Sequence, residues 1–197
     1  MRQKFSSNYS KYLSKNRLQK YLIKKFYEKI KELVQMTGAE KVFEAGCGEG
    51  FSSKEIISEV KSLFVGMDLV AENISFARKN CKNAYFFEGS IYNLPLGDNS
   101  FELVLCLEVL EHLKEPSEAL NELLRVSSKW AILSVPNEPY FCIGNFLRGK
   151  NFRNWGNDPE HINHWSKIAF EKFVEKKCKV VRDESSFPWT IVLCEKI

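Results

Sequence analysis

Two groups of residues in this sequence have the types and the spacing to do chemistry. The first is Glu44-Ala45-Gly46-Cys47-Gly48-Glu49-Gly50, which closes a short apolar run at residues 41–45. Glycines spaced this way let the chain turn sharply and let a ligand approach the backbone, and the N-terminus of a following helix favours an anion. The next apolar run ends in Asp68, 22 residues after Gly46, where a carboxylate can accept both hydroxyls of a ribose. A dinucleotide fingerprint needs glycines at relative positions 1, 3 and 6, but here the third glycine is Gly50 at position 5 and position 6 is Phe51. The pattern therefore points to a nucleoside-bearing ligand more than to a dinucleotide. The second group is Glu108, Glu111 and His112, spaced i, i+3 and i+4, which a single helical turn would place on one face. His161 and His164 form a further pair and complete the three histidines of the chain. Two carboxylates with imidazoles nearby can take a proton from a hydroxyl or hold a divalent metal that acidifies it.

These groups need elements to position them. Residues 41–45, 62–67, 84–88, 101–107 and 130–135 read as strands, and residues 52–60, 71–80 and 116–126 as the helices between them. Such alternation predicts a doubly wound α/β sheet, in which ligands sit at the carboxyl ends of the strands, where the glycine loop and Glu108 fall. Leu18, Leu22, Ile23, Phe26, Ile30, Leu33 and Val34 recur at helical spacing among lysines, so residues 17–36 form an amphipathic helix stopped by Gly38. Residues 136–165 hold glycines, prolines and aromatics without a period, which marks a substrate-side loop or lid. A helix over 166–176 and two runs, 178–183 and 190–195, able to pair antiparallel at the sheet edge complete the pattern.

With 197 residues, 44% hydrophobic and 27% charged, the chain is expected to form one domain over 1–197, with an N-terminal cap helix inside 1–38. Its longest purely apolar stretch, 103–107, falls far below the ~20 residues of a membrane span, and its polar start lacks a secretory signal, so no span and a cytoplasmic location are expected. The six cysteines include no C-x-x-C pair, which argues against zinc and for buried free thiols. The net charge of +4 is concentrated at the N-terminus, where the first 36 residues carry ten basic and two acidic groups. That segment is either a solvated helix face or a contact for an acidic partner such as RNA.

Taken together, Glu44 to Gly50, Gly66 to Leu69, Glu88-Gly89-Ser90-Ile91 with Leu94-Pro95, and Phe101 to Val104 leading into Glu108-Val109-Leu110-Glu111-His112 resemble the class I S-adenosylmethionine-dependent methyltransferases, over nearly the whole chain. The resemblance implies a seven-stranded Rossmann-like sheet of order 3-2-1-4-5-7-6 with its last strand antiparallel. It implies S-adenosylmethionine as cofactor, with Glu44, Gly46, Cys47, Gly48 and Gly50 around the methionine part, Asp68 on the ribose, and Leu69 and Leu107 flanking the adenosine. Ser90 stands where the family usually has an acid toward the adenine amine, a contact that its hydroxyl or the Ile91 backbone can supply. Glu102 replaces a usual Asp. The segment containing Tyr9, Tyr12 and Arg17 resembles the family's preceding cap, in which a tyrosine and a basic residue close over the cofactor carboxylate; an exposed turn is the other reading of the tyrosines.

The family chemistry makes His112, Glu111 and Glu108 the candidate catalytic residues. Asn137, Tyr140, His161, His164 and Trp165 stand on the substrate side. Phe141, Phe146, Phe152, Trp155 and Trp165 form either an aromatic wall over an apolar acceptor or a satellite core. The Glu-x-x-Glu-His element also resembles the metal site of small-RNA 2′-O-methyltransferases and of ubiquinone-pathway O-methyltransferases, with Glu108, Glu111, His112 and His161 as the implied ligands. The expected function is methyl transfer to an oxygen of a small-molecule acceptor. Metal-assisted RNA 2′-O-methylation and a non-catalytic S-adenosylmethionine-binding module are the alternatives.

Overall fold

The Asn16 side chain accepts hydrogen bonds from the backbone N–H groups of Leu18 (2.9 Å) and Gln19 (3.2 Å), which relieves two of the orphan donors at a helix start. From there helix α1 runs over Arg17–Thr37 and stops at Gly38, whose φ of 64° suits a residue without a Cβ. This is a computed structural model that describes residues 16–138, 140, 142 and 160–197. Tyr9 and Tyr12 of the expected cap, and Phe141, Phe146, Phe152 and Trp155 of the expected aromatic wall, lie outside the described residues.

Strand β1 (Lys41–Ala45) leads through the glycine loop into helix α2 (Phe51–Ile56), which tightens into a 3-10 turn at Ile57–Glu59 rather than running on as one helix to residue 60. Strand β2 (Leu63–Asp68), helix α3 (Ala71–Asn80), strand β3 (Tyr85–Glu88) and strand β4 (Phe101–Leu107) follow. A 3-10 turn at Leu110–His112, helix α4 (Pro116–Val126), strand β5 (Ser127–Pro136), helix α5 (Lys167–Val174) and strands β6 (Cys178–Ser186) and β7 (Trp189–Lys196) complete the described elements. They form one seven-stranded sheet in the order β3-β2-β1-β4-β5-β7-β6. Strand β7 runs antiparallel to both of its neighbours, and the other pairings are parallel.

Strands buried on both faces read as continuous apolar runs, and β4 shows how one run serves two cores. Leu103, Leu105 and Leu107 face a layer with Phe26, Ile30 and Leu33 of α1, whereas Val104 and Cys106 face Leu120, Leu123 and Phe170 from α4 and α5. Glu102 breaks the apolar run because its carboxylate accepts from the backbone N–H groups of Glu40 and Lys41, at the start of β1. All six cysteines are free, and all but Cys142 are buried. No helix among the described residues is long and apolar enough to cross a membrane.

Candidate active site

The glycine loop sits at the carboxyl end of β1. Gly46, Gly48 and Gly50 all adopt positive φ, of 76°, 52° and 78°, but for different reasons. A Cβ on Gly46 would lie 2.4 Å from Val109 Cγ2, and one on Gly50 would lie 2.8 Å from Ala77 Cα, so these two glycines are required by packing. A Cβ on Gly48 would meet nothing within 4 Å among the described residues. That position is where a ligand can reach the backbone. The loop is held from below by the N–H groups of Gly46 and Cys47, both donating to the Met67 carbonyl (2.7 and 2.9 Å).

Asp68 is the second anchor. One carboxylate oxygen accepts from Gly48 N–H at 2.9 Å, and the other from Val70 N–H at 2.9 Å and the Asn73 amide at 3.0 Å. The acid thus ties the glycine loop to the start of α3, while the neighbouring Leu69 is 70% exposed. Ser90 and Ile91 follow β3, with the Ser90 hydroxyl accepting from Tyr92 N–H and Ile91 buried.

A cleft enclosing about 540 Å³ and open to solvent runs between this loop and α1. Gly46, Cys47, Gly48, Glu49 and Phe51 form its floor, Ile23, Phe26 and Tyr27 of α1 one wall, and Leu107, Glu108 and Trp189 the other side. The Phe26 and Trp189 rings pack at 5.0 Å between centroids, so α1 and the start of β7 close the cleft against each other. Burial, with the nearby acids Glu44 and Asp68, pushes the Cys47 thiol far up, which makes it inert as a nucleophile. Glu44 is not a cleft-lining residue. It is buried, it is held by the hydroxyls of Ser52 and Ser53, and desolvation raises its carboxyl above the ordinary range.

At the carboxyl end of β4 the expected common face of Glu108, Glu111 and His112 does not form. Glu108 takes φ 59°, left-handed for a residue with a Cβ, and its N–H donates to the Ser134 carbonyl in continuation of the β4–β5 ladder. The helical turn starts only at Leu110. Glu108 therefore lines the cleft, with one oxygen 3.2 Å from the Ser134 hydroxyl. Glu111 is buried and joins His112 and His161 instead, with one ligand atom from each of the three within 4.8 Å of the others. His112 Nδ1 lies 2.8 Å from the Glu160 carbonyl, an acceptor only, so that nitrogen carries the proton and Nε2 the lone pair. Nε2 lies 3.9 Å from the Glu111 carboxylate.

A methyltransferase domain model matches residues 43–134, which runs from β1 to near the end of β5. A protein of Mycolicibacterium smegmatis named "Probable S-adenosylmethionine-dependent methyltransferase" is 30% identical over 105 residues, 52% of this chain and 40% of that one. The chain thus resembles a methyltransferase domain over residues 43–134. It spans less than half the length of the curated relatives it matches. Solved structures extend the likeness of fold to nearly the whole chain. A Pyrococcus horikoshii protein overlays 98% of this chain and 100% of its own at a TM-score of 0.74 and 18% identity. The magnesium protoporphyrin IX methyltransferase of Synechocystis overlays 98% and 95% at 0.72 and 16%.

Within this family frame, several expected site residues stand apart from the cleft. Arg17 is exposed in the first turn of α1 and does not line it. Trp165 packs its ring on Phe170 and Phe173, at 5.5 and 5.4 Å, and so belongs to the core beneath α5. Tyr140 is exposed beside Phe187, and Asn137 is tied through its N–H to the Pro188 carbonyl at 2.8 Å. Sequence reasoning missed Tyr27, Trp189 and Glu49 in the cleft, and Glu138 and Asn163 near the histidines. Tyr27 falls within the expected helix but outside its apolar repeat, and Trp189 falls just before the run 190–195. The Asn163 amide donates to the Leu110 and Leu113 carbonyls, and nothing local in the sequence announces that contact.

Proposed function

We propose that this chain transfers the methyl group of S-adenosylmethionine to a hydroxyl oxygen of a small-molecule acceptor. The observation that carries the reading is that Glu108 lines the same cleft as the glycine loop, which sets a carboxylate beside the place for a cofactor. The residues present fit that cofactor. Gly48 leaves open space over its backbone, and Asp68 and exposed Leu69 stand side by side for a ribose and an adenine. Gly46, Cys47, Gly48 and Gly50 would surround the methionine part, with Ser90, Ile91 and Leu107 around the adenosine.

When bound, S-adenosylmethionine supplies a methyl carbon on a cationic sulfur whose departure leaves a neutral thioether. The protein's task is then to hold the acceptor oxygen in line and to take its proton. Glu108, held by the Ser134 hydroxyl, is placed to accept that proton, and His112 offers a lone pair on Nε2. Phe26, Tyr27 and Trp189 give the cleft an apolar side against which an acceptor can pack. Asn137, Tyr140, His161 and His164 would meet the acceptor. Among the described residues the cleft lining holds Glu49 and Glu108 but no lysine or arginine, and Lys24, Lys25 and Lys29 of α1 are paired with Glu28 and Glu32. Both features support a small acceptor over an RNA.

The grouping of Glu111, His112 and His161 favours a second reading in which these residues hold a divalent cation. Two imidazoles and a carboxylate suit zinc or a neighbouring first-row metal, which would acidify an acceptor hydroxyl. Calorimetry with S-adenosylmethionine and its demethylated product, followed by a radiolabelled methyl-transfer screen of metabolites and RNA, tests both readings. Cofactor binding and label in a small molecule are expected; tight binding of a nicotinamide dinucleotide in place of the cofactor would end the reading. Turnover that survives chelation would end the metal-assisted one. His112→Ala is expected to lower turnover while leaving cofactor affinity unchanged, because His112 does not line the cleft.

A further inference from the structure

We infer that Glu138, which the methyl-transfer reading does not use, is a positioning residue that sets the tautomer and aim of His161 and so organises the acceptor-side centre. The inference rests on the reading of Glu111, His112 and His161 as that centre. Three stretches of chain distant in sequence are tied together here by backbone bonds. Ile162 and Asn163 donate their N–H groups to the Glu111 carbonyl at 2.8 and 2.9 Å, which fixes the histidine segment on the turn after β4. Glu138 N–H donates to the Trp165 carbonyl at 2.9 Å, and Asn137 N–H to the Pro188 carbonyl, so the backbone bearing Glu138 is held from two sides.

With that framework set, the Glu138 side chain, 10% exposed, reaches both remaining histidines. One of its oxygens lies 3.7 Å from His161 Nδ1 and 3.7 Å from His164 Nδ1, and the other accepts from the Cys142 thiol. A buried carboxylate is costly without partners, and the two histidines are not equal ones. The His161 side chain is 6% exposed and that of His164 43%, so the low-dielectric contact with His161 is the stronger of the two.

A carboxylate facing Nδ1 selects the tautomer protonated there and leaves the lone pair on Nε2. His112 reaches the same tautomer by another route, through the Glu160 carbonyl. The two rings lie 5.0 Å apart between centroids, and each brings a ring nitrogen within 4.8 Å of a Glu111 carboxylate oxygen. A group one shell out that orients an imidazole in this way changes metal affinity by about 10- to 100-fold when it is lost.

The test uses the full chain labelled with ¹⁵N, in which only three imidazoles contribute signals. Long-range proton–nitrogen spectra of the metal-free protein should show His161 and His112 both with a pyrrole-type Nδ1. In Glu138→Gln, close in shape but uncharged, His161 should shift toward the other tautomer while His112 stays; Glu138→Asp, which keeps the charge, should hold His161 as it is. Wild-type His161 protonated on Nε2, or a His161 signal unmoved in Glu138→Gln, overturns the inference, and the wild-type spectrum alone can do so if that variant fails to fold. Cobalt(II) titrated into the same samples should bind about 10- to 100-fold more weakly to Glu138→Gln. If the wild type takes no cobalt, the metal reading falls and the tautomers alone decide the role of Glu138. Affinity for S-adenosylmethionine, expected unchanged in Glu138→Gln because Glu138 does not line the cleft, reports separately on the methyl-transfer reading.

Discussion

Replacing Gly46 and Gly48 one at a time by alanine separates a glycine required by packing from one required by a ligand. At Gly46 the new Cβ meets two penalties. A left-handed φ of 76° costs an alanine about 1–2 kcal/mol, and the methyl group lies 2.4 Å from Val109 Cγ2, an overlap that forces Val109 aside at about 1–3 kcal/mol. Gly46→Ala should therefore lose roughly 2–5 kcal/mol of stability. At Gly48 the backbone penalty is similar, at φ 52°, but no atom among the described residues lies within 4 Å, so Gly48→Ala should lose only about 1–2 kcal/mol. Its methyl group would instead project into the space a cofactor needs, and the same overpacking range of about 1–3 kcal/mol predicts a loss of affinity for S-adenosylmethionine of at least about fivefold. Urea unfolding gives the first quantity for each variant and calorimetry the second. Equal destabilisation by the two substitutions, or wild-type cofactor affinity in Gly48→Ala, would refute the division of labour within the loop.

Asp68→Ala should weaken S-adenosylmethionine binding by at least about tenfold, since each hydrogen bond to a charged group contributes about 1.5–3 kcal/mol; calorimetry reads it. The carboxyl of Glu44 has a folded value above its ordinary 4.5, so the folded state binds more protons than the unfolded one and stability falls as pH rises through that value. Glu44→Gln should remove this slope and be more stable than the wild type near neutral pH, as urea midpoints across a pH series would show. Ile30→Ala, at a fully buried position between α1 and the sheet, should cost about 2–5 kcal/mol in urea unfolding. Because α1 forms one wall of the cleft, the same variant should also bind cofactor more weakly.

The alternation of strands and helices, the Gly38 limit of α1 and the glycine loop with its acid were legible in the sequence, because each depends on local chemistry. Apolar periodicity declares which face of an element is buried, and a positive φ selects glycine. The spacing of Glu108, Glu111 and His112 was equally visible, and it misled. Helical spacing puts residues on one face only if the backbone is helical, and the N–H of Glu108 is committed to the Ser134 carbonyl of the neighbouring strand. That contact holds Glu108 in the sheet and delays the turn to Leu110, sending Glu108 to the cleft and Glu111 to the histidines. Convergence of Tyr27 with Trp189 across the cleft, and of Glu138 with His161 and His164, likewise depended on contacts between elements far apart in the chain. Such contacts arise from how the layers pack and how the strands are ordered, and residue types at short range carry no record of them.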